Sequence, residues 1–274
     1  MFGKFHRQAW SGRFSLSALA VFVFLALAAC AGRMALIPPD LSNPVYTVAV
    51  LPFYNASNDV EGPRMMREEF FNRIQNRHYS VMSLEQTDSI LVNRMGITLG
   101  SQLELTTPEQ LGEILGVDGV IYGYVLNFDD ITTGFYNVKK VRAGFKLVDA
   151  RTGAAVWSRG LGVKVALAGG DVGAGITLLQ EIRGDGLDDF NSIKGLEEIN
   201  GLSEWHLIAA TETKKAGDAA IIALSEKLLT TALGVHLKAE TNVMLNRVMR
   251  GFPAGPGSAP AAGIEKTSNK GGAK

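Results

Sequence analysis

The chain has 274 residues, of which 27 are basic, 27 are acidic and one, Cys30, is a cysteine. Three basic residues and no acidic one precede Cys30, which leaves 24 basic against 27 acidic side chains and a net charge of −3 with neutral histidines. This charge excludes a nucleic-acid partner held by phosphate contacts, and the single cysteine excludes a disulfide within the chain.

Residues 1–29 have the composition of a secretory signal peptide. Basic side chains come first, and an apolar run, Ser15–Ala29, follows and ends in small residues. The run is shorter than the roughly 20 residues that a spanning helix needs, which disfavours the alternative of an uncleaved single-pass anchor. The basic residues of this leader are Lys4, Arg7 and Arg13.

Cys30 closes a four-residue sequence, Leu27–Cys30, that resembles the lipobox of bacterial lipoproteins. The resemblance implies cleavage ahead of Cys30 and acylation of this residue with a diacylglycerol group and palmitate, and three chains hold a protein on a membrane far more firmly than one. We therefore predict a lipoprotein signal peptide at residues 1–29 and lipid attachment at Cys30. In such Gram-negative lipoproteins an aspartate after the cysteine specifies the inner membrane. Ala31 therefore implies the outer membrane, facing the periplasm, with exposure at the cell surface left open.

Residues 30–44 are rich in proline and are predicted to form an extended, lipidated tether ahead of a single domain at residues 45–250. Within the domain, Thr107, Pro108 and Gln110 have the spacing of a helix-capping box. The predicted elements of the first half are a strand at Val45–Phe53, a helix at Pro63–Arg77, a strand at Tyr79–Met82, a helix at Leu84–Met95 and a helix from Thr107 to Gly116.

The centre of the sheet is predicted between Val117 and Leu167. Val117–Phe128 is a long apolar run, and two alternating segments flank a glycine turn at Asp149–Gly153, which indicates a hairpin with one buried face. The alternation places Arg142 and Lys146 on the opposite face, so a shift of the strand register by one residue would bury them. The residues assigned to the buried face are Val141, Ala143, Phe145, Leu147, Ala155, Trp157, Leu161, Val163, Val165 and Leu167.

The second half is less regular. Residues 168–206 are rich in glycine and then in acids, and are expected to form an irregular surface excursion or flap. Helices are predicted at Asp218–Leu233 and Ala239–Arg250, and residues 251–274 have the composition of a disordered tail.

Four motifs carry a family resemblance: Val48–Phe53 with Asn55 nearby, the first helix with the strand Tyr79–Met82, Leu115–Gly123 and Leu147–Ala154. In order and spacing they resemble bacterial lipoproteins of the neisserial surface-antigen type, a domain of unknown function. Those are similar in turn to the curli secretion-channel lipoproteins and the amino-terminal domain of the Tol-Pal translocation protein. The resemblance implies an α/β (α+β) fold with a mixed sheet of about five strands and helices packed on it. It also implies a role in an envelope transport or assembly complex, with no catalytic residues to transfer.

No motif predicts a catalytic, cofactor or metal site. The three histidines after the leader are isolated from one another, and the adjacent pairs Asp129–Asp130 and Asp188–Asp189 would point to opposite faces of a strand. The glycines from Gly169 to Gly175 miss the spacing of a phosphate-binding loop. The histidines are His78, His206 and His236.

Two functions remain as hypotheses. The favoured one is a non-enzymatic outer-membrane lipoprotein that docks other envelope proteins, with a homo-oligomer left open. The alternative is a periplasmic small-ligand-binding protein or hydrolase with residues 168–206 as a lid, which a cleft containing a histidine and a carboxylate within hydrogen-bonding distance would favour.

Overall fold

A mixed β-sheet organises the part of the chain that the computed structural model describes, residues 37–132, 136–169, 186–212 and 236–257. The strands are β1 Thr47–Val50, β2 Tyr54–Asn55, β3 Ser80–Val81, β4 Gly119–Thr132, β5 Tyr136–Asp149, β6 Ala155–Gly169 and β7 Trp205–Glu212. Their order in the sheet is β3-β1-β4-β5-β6-β7, with β2 paired to β4. Strands β4, β5 and β6 form an antiparallel meander, while β1, β2, β3 and β7 pair in parallel.

Four α-helices accompany this sheet in the described residues: α1 Glu61–Ile74, α2 Leu84–Met95, α3 Pro108–Leu115 and α4 Lys238–Val248. The predicted capping box of α3 is confirmed, since the Thr107 side chain accepts from Gln110 N, and Gly116 ends the helix at φ 68°. The predicted α/β class is therefore confirmed, with seven strands rather than five.

Helices and loops cover both faces of the sheet. On one face α1 and α4 pack over Val141, Phe145 and their alternate neighbours, which is the buried face that the alternation predicts. On the other face α2, α3 and residues 187–202 form a second apolar cluster. Strand β4 is apolar almost throughout because both of its faces are buried.

The prediction of a single buried face for the β5–β6 hairpin is wrong. Arg142 is 1% exposed and Lys164 0% exposed, although both lie on the face that the alternation assigns to solvent. The guanidinium of Arg142 lies 5.2 Å from the ring centre of Phe190 and 4.8 Å from that of Trp205, so aromatic side chains cover the cation.

The segment that provides this cover belongs to the predicted surface excursion at 168–206. Its first residues, through Gly169, extend β6, and residues 187–202 pack on the sheet through buried apolar side chains. Acidic residues on the outer side of this segment interrupt its apolar residues, so the sequence does not show a clear apolar pattern. The buried side chains are Ile193, Leu196, Ile199 and Leu202.

The beginning and the end of the described domain meet. Asn43 Nδ2 donates to Tyr79 Oη at 2.8 Å and to Ala254 O at 2.9 Å, and Asp40 N donates to Gly255 O at 3.0 Å. We call these five residues the clasp. Residues 251–257, which composition assigns to a disordered tail, are therefore ordered against residues of the predicted tether. The predicted signal peptide, Cys30 and the helix at 218–233 lie outside the described residues.

Candidate functional site

The residues that the sequence singles out for chemistry lie on separate elements. His78 follows α1 in a left-handed conformation, His206 lies in β7 beside Arg247, and His236 packs against the ring of Phe128. Within residues 37–132, 136–169, 186–212 and 236–257, no group of three or more histidine, cysteine, aspartate or glutamate side chains could hold a metal ion.

The two aspartate pairs also serve local structure. Asp129 accepts a hydrogen bond from Asn127, and Asp130 accepts one from Asn137 across the β4–β5 pair. The second pair, Asp188–Asp189, begins a 3₁₀ helix rather than lying on a strand. The predicted glycine-rich stretch beyond Gly169 lies outside the described residues.

The structure instead shows a cleft of about 290 Å³ between the sheet and two covering segments. Strands β4 and β5 form its floor, the 3₁₀ helix Gly100–Leu105 and the following Thr106–Pro108 form one wall, and residues 194–198 form the other. We call it the tyrosine cleft, after the three tyrosines in its lining, Tyr54, Tyr122 and Tyr124.

Strand geometry explains why the tyrosines converge. Tyr122 and Tyr124 are two residues apart on β4 and so point to the same face. Tyr54 of β2 pairs in register with Tyr124, and their rings stack with centres 6.1 Å apart. Lys146 of β5 is the register partner of Tyr122, which places its ammonium group on the same floor.

The ammonium group of Lys146 links the floor of the cleft to its wall. Lys146 Nζ lies 2.8 Å from Glu198 Oε2 and 5.2 Å from the ring centre of Tyr122. The lysine side chain is 10% exposed, whereas that of Glu198 is 51% exposed, so one partner is buried and the other faces solvent. This geometry makes Glu198 the more movable partner of the pair.

Gly195 allows the wall to approach the floor this closely. It has φ +82°, and a Cβ atom at this position would lie 2.8 Å from Lys146 Nζ and 3.1 Å from Tyr124 Oη. Any other residue would therefore be strained in its backbone and would crowd both polar groups.

The side chains of Tyr122 and Tyr124 are largely buried, but their hydroxyls open onto the cleft and have no hydrogen-bond partner among the described residues. The two residues are only 9% and 6% exposed, and both line the cleft. Burial raises the pKa of both hydroxyls well above the ordinary value of 10.0, and the negative charge of nearby carboxylates raises it further. Both groups are therefore neutral phenols at physiological pH, able to donate or accept a hydrogen bond.

This chemistry suits binding. The described lining contains no histidine, so the histidine and carboxylate pair that the hydrolase hypothesis requires does not occur in this cleft. The described part of the expected lid, residues 186–206, packs on the sheet as a wall of the cleft. Sequence reasoning missed the cleft, although the two-residue spacing of Tyr122 and Tyr124 within one predicted strand was an available signal.

Comparisons with known proteins add a family match. The model of the family described as "Putative lipoprotein GNA1162-like" matches residues 41–179. No curated protein matches the chain.

Three solved structures illustrate the similarity. Lipoprotein GNA1162 from Neisseria meningitidis is 24% identical over 50% of this chain and 95% of its own, with a TM-score of 0.42. The LpoB C-terminal domain from Salmonella enterica is 17% identical over 42% of this chain and 79% of its own, with a TM-score of 0.31. The PelC dodecamer from Paraburkholderia phytofirmans is 17% identical over 44% of this chain and 73% of its own, with a TM-score of 0.29.

Proposed function

Because this chain belongs to the GNA1162-like lipoprotein family, we propose that it is a non-enzymatic lipoprotein, anchored in the outer membrane by Cys30, that docks other envelope proteins. The family match carries this proposal, since the matched domain follows a lipobox at the spacing of a short tether. The partners are membrane lipid, through the acyl chains, and proteins of a transport or assembly complex.

Acylation supplies the anchor in this proposal. Each methylene that enters a bilayer contributes about 0.8 kcal/mol, so three acyl chains on Cys30 hold the domain on the membrane without a spanning helix. Within the part of the chain that the structure describes, no helix has the length and apolar character needed to cross a bilayer.

Two exposed apolar side chains lie beside the tyrosine cleft, on the surface that we propose for docking. Leu99 and Leu105, at the two ends of the 3₁₀ wall, are 62% and 88% exposed. Single exposed leucines are ordinary on a protein surface, so these two serve as positions at which contact with a docked partner is tested.

Anchoring is tested by fractionation and by mass spectrometry of the peptide that begins at Cys30. The wild type should fractionate with the outer membrane and carry diacylglycerol and palmitate, while Cys30→Ala should be released from the membrane. Ala31→Asp should keep the lipid and move to the inner membrane. A wild-type chain with a free thiol that is still attached to residues 1–29 would refute the proposed anchor.

Docking is tested with a photo-crosslinking amino acid at position 105 in cells. The expected result is an adduct whose partner, identified by mass spectrometry, is an envelope protein or a second copy of this chain. Val60 is the matched control, because it is 82% exposed and lies just before α1 rather than beside the cleft. Adducts at neither position, or equal adducts at both, would contradict docking through this surface.

A further inference from the structure

The tyrosine cleft combines buried polar groups, aromatic faces and acidic walls in one site. We propose that it binds the cationic side chain of a basic residue, arginine or lysine, presented by a partner protein. This inference rests on the proposed docking role, because it names the chemistry by which a partner is recognised.

The first support is a pair of tyrosines whose side chains are largely buried and whose hydroxyls open onto the cleft. Tyr122 and Tyr124 keep polar oxygens inside the cleft without a hydrogen-bond partner among the described residues. Because these hydroxyls have no protein partner and face an open cleft, they are available to bond a ligand group in place of water. As neutral phenols they can accept hydrogen bonds from a guanidinium or an ammonium.

The second support is the charge around the hydroxyls. Glu104 and Glu197 line the cleft, are exposed, and form no ion pair among the described residues. The two cations of the described lining are Lys146, which Glu198 already neutralises, and Lys194. The carboxylates that act on the two hydroxyls are Glu104, Glu109, Glu197 and Glu198.

The arrangement of Lys146 shows that the site accommodates a cation. Its ammonium group lies against the Tyr122 ring and bonds a carboxylate of the wall, which are the two contacts that an incoming basic side chain would make. Tyr54 and Tyr124 offer a further stacked aromatic surface, and Glu104 and Glu197 offer the carboxylates.

An anionic ligand fits this site less well. It would have to displace Glu198 from Lys146 and would face the unpaired charges of Glu104 and Glu197. Arginine should bind better than lysine, because its planar guanidinium stacks on aromatic rings and pairs with carboxylates through two hydrogen bonds.

Titration of the purified full-length protein with the blocked tripeptide acetyl-Gly-Arg-Gly-amide tests the proposal, with binding followed by NMR of labelled tyrosine rings. The neutral citrulline tripeptide and the acidic glutamate tripeptide are the matched probes. We expect the arginine probe to bind and to shift the Tyr122 and Tyr124 signals, and the other two to bind at least about tenfold more weakly, since hydrogen bonds to charged groups are worth that much.

Variants then locate the binding. The double variant Glu104→Gln, Glu197→Gln should weaken the arginine probe about tenfold, and Tyr124→Phe should weaken it several-fold while retaining the ring. Glu113→Gln, an exposed acid on α3 outside the lining, is the control and should bind as the wild type does. Thermal unfolding checks that each variant is folded, which is expected because the replaced groups have no partner in the described structure.

Three results would overturn the proposal: no binding of the arginine probe, equal binding of the citrulline or glutamate probe, or unchanged binding by the folded variants. The outcome is independent of the anchor, because the peptide test uses purified protein. If crosslinking at position 105 captures an envelope protein and the arginine probe does not bind, only the cleft proposal fails. If Cys30 is not acylated, the anchored docking role fails and the peptide result stands by itself.

Discussion

Phe252 should be one of the main stabilising side chains of the domain, although it lies where composition predicts a disordered tail. It is 3% exposed, and its ring centre lies 4.8 Å from that of Trp157, 5.8 Å from Phe70 and 5.9 Å from Tyr79. Replacing a buried phenylalanine by alanine removes about 3–5 kcal/mol of stability. Edge-to-face ring pairs add to burial, so we expect Phe252→Ala to fall in the upper part of that range.

Urea unfolding of the purified full-length chain, followed by circular dichroism, measures this loss. With a slope of about 2 kcal/mol per molar, a loss of about 4 kcal/mol lowers the midpoint by about 2 M. Leu105→Ala is the control, since that side chain is 88% exposed and its removal should change stability by less than about 0.5 kcal/mol. A chain ending at Gly257 keeps the aromatic cluster and the clasp and should retain the wild-type midpoint. A midpoint for Phe252→Ala equal to that of Leu105→Ala would refute the reasoning.

Three further predictions concern pH and hydrogen bonding. Burial raises the pKa of Tyr79 to about 12. The contribution of Tyr79 to the free energy of unfolding is therefore present below the ordinary pKa of 10.0 and is lost as the pH rises toward 12. Unfolding of the wild type and of Tyr79→Phe, measured across this pH range, checks this prediction. Burial and the charge of Arg247 lower the pKa of His206 below 6.5. The contribution of His206 to the free energy of unfolding is therefore lost as the pH falls through this lowered pKa. NMR titration should show a higher pKa for His206 in Arg247→Met. Asp118→Ala removes the acceptor for the Thr47 amide and hydroxyl, both at 2.9 Å, and should lower stability by about 1–3 kcal/mol in thermal unfolding.

Local signals in the sequence were sufficient where the structure depends on neighbouring residues. The capping box at Thr107 predicts the start of α3, and alternation around Asp149–Gly153 predicts the β5–β6 hairpin and its first buried face. The capping box lies within four residues, and the hairpin extends outward from its own tight turn, so turn chemistry and side-chain periodicity encode both directly.

Features that depend on distant residues were missed. Strand β7 pairs with β6 through Gly162 and Trp205, which are far apart in sequence, and nothing in the alternation of either segment indicates this partner. The burial of Arg142 depends on Phe190 and Trp205, which reach it from the covering segment. Alternation identifies an apolar face, but it cannot show that a cation on the opposite face will be covered.

The cleft was predictable only in part. The shared face of Tyr122 and Tyr124 could have been derived from the predicted strand, whereas the β4–β5 register that places Lys146 opposite Tyr122 could not. The wall at Gly195 could not be predicted either, because its positive φ and its approach to Lys146 and Tyr124, 49 and 71 residues earlier, have no local signature.

The clasp also determines how mechanical tension would pass through this protein. Asp40 and Asn43 are joined to Gly255 and Ala254, so the polypeptide enters and leaves the domain at one corner. A pull applied between the two ends would act first across these few hydrogen bonds, each contributing about 1 kcal/mol, and not along the long strands. Such a linkage would yield at low force while the sheet, with its aromatic core and tyrosine cleft, kept its shape.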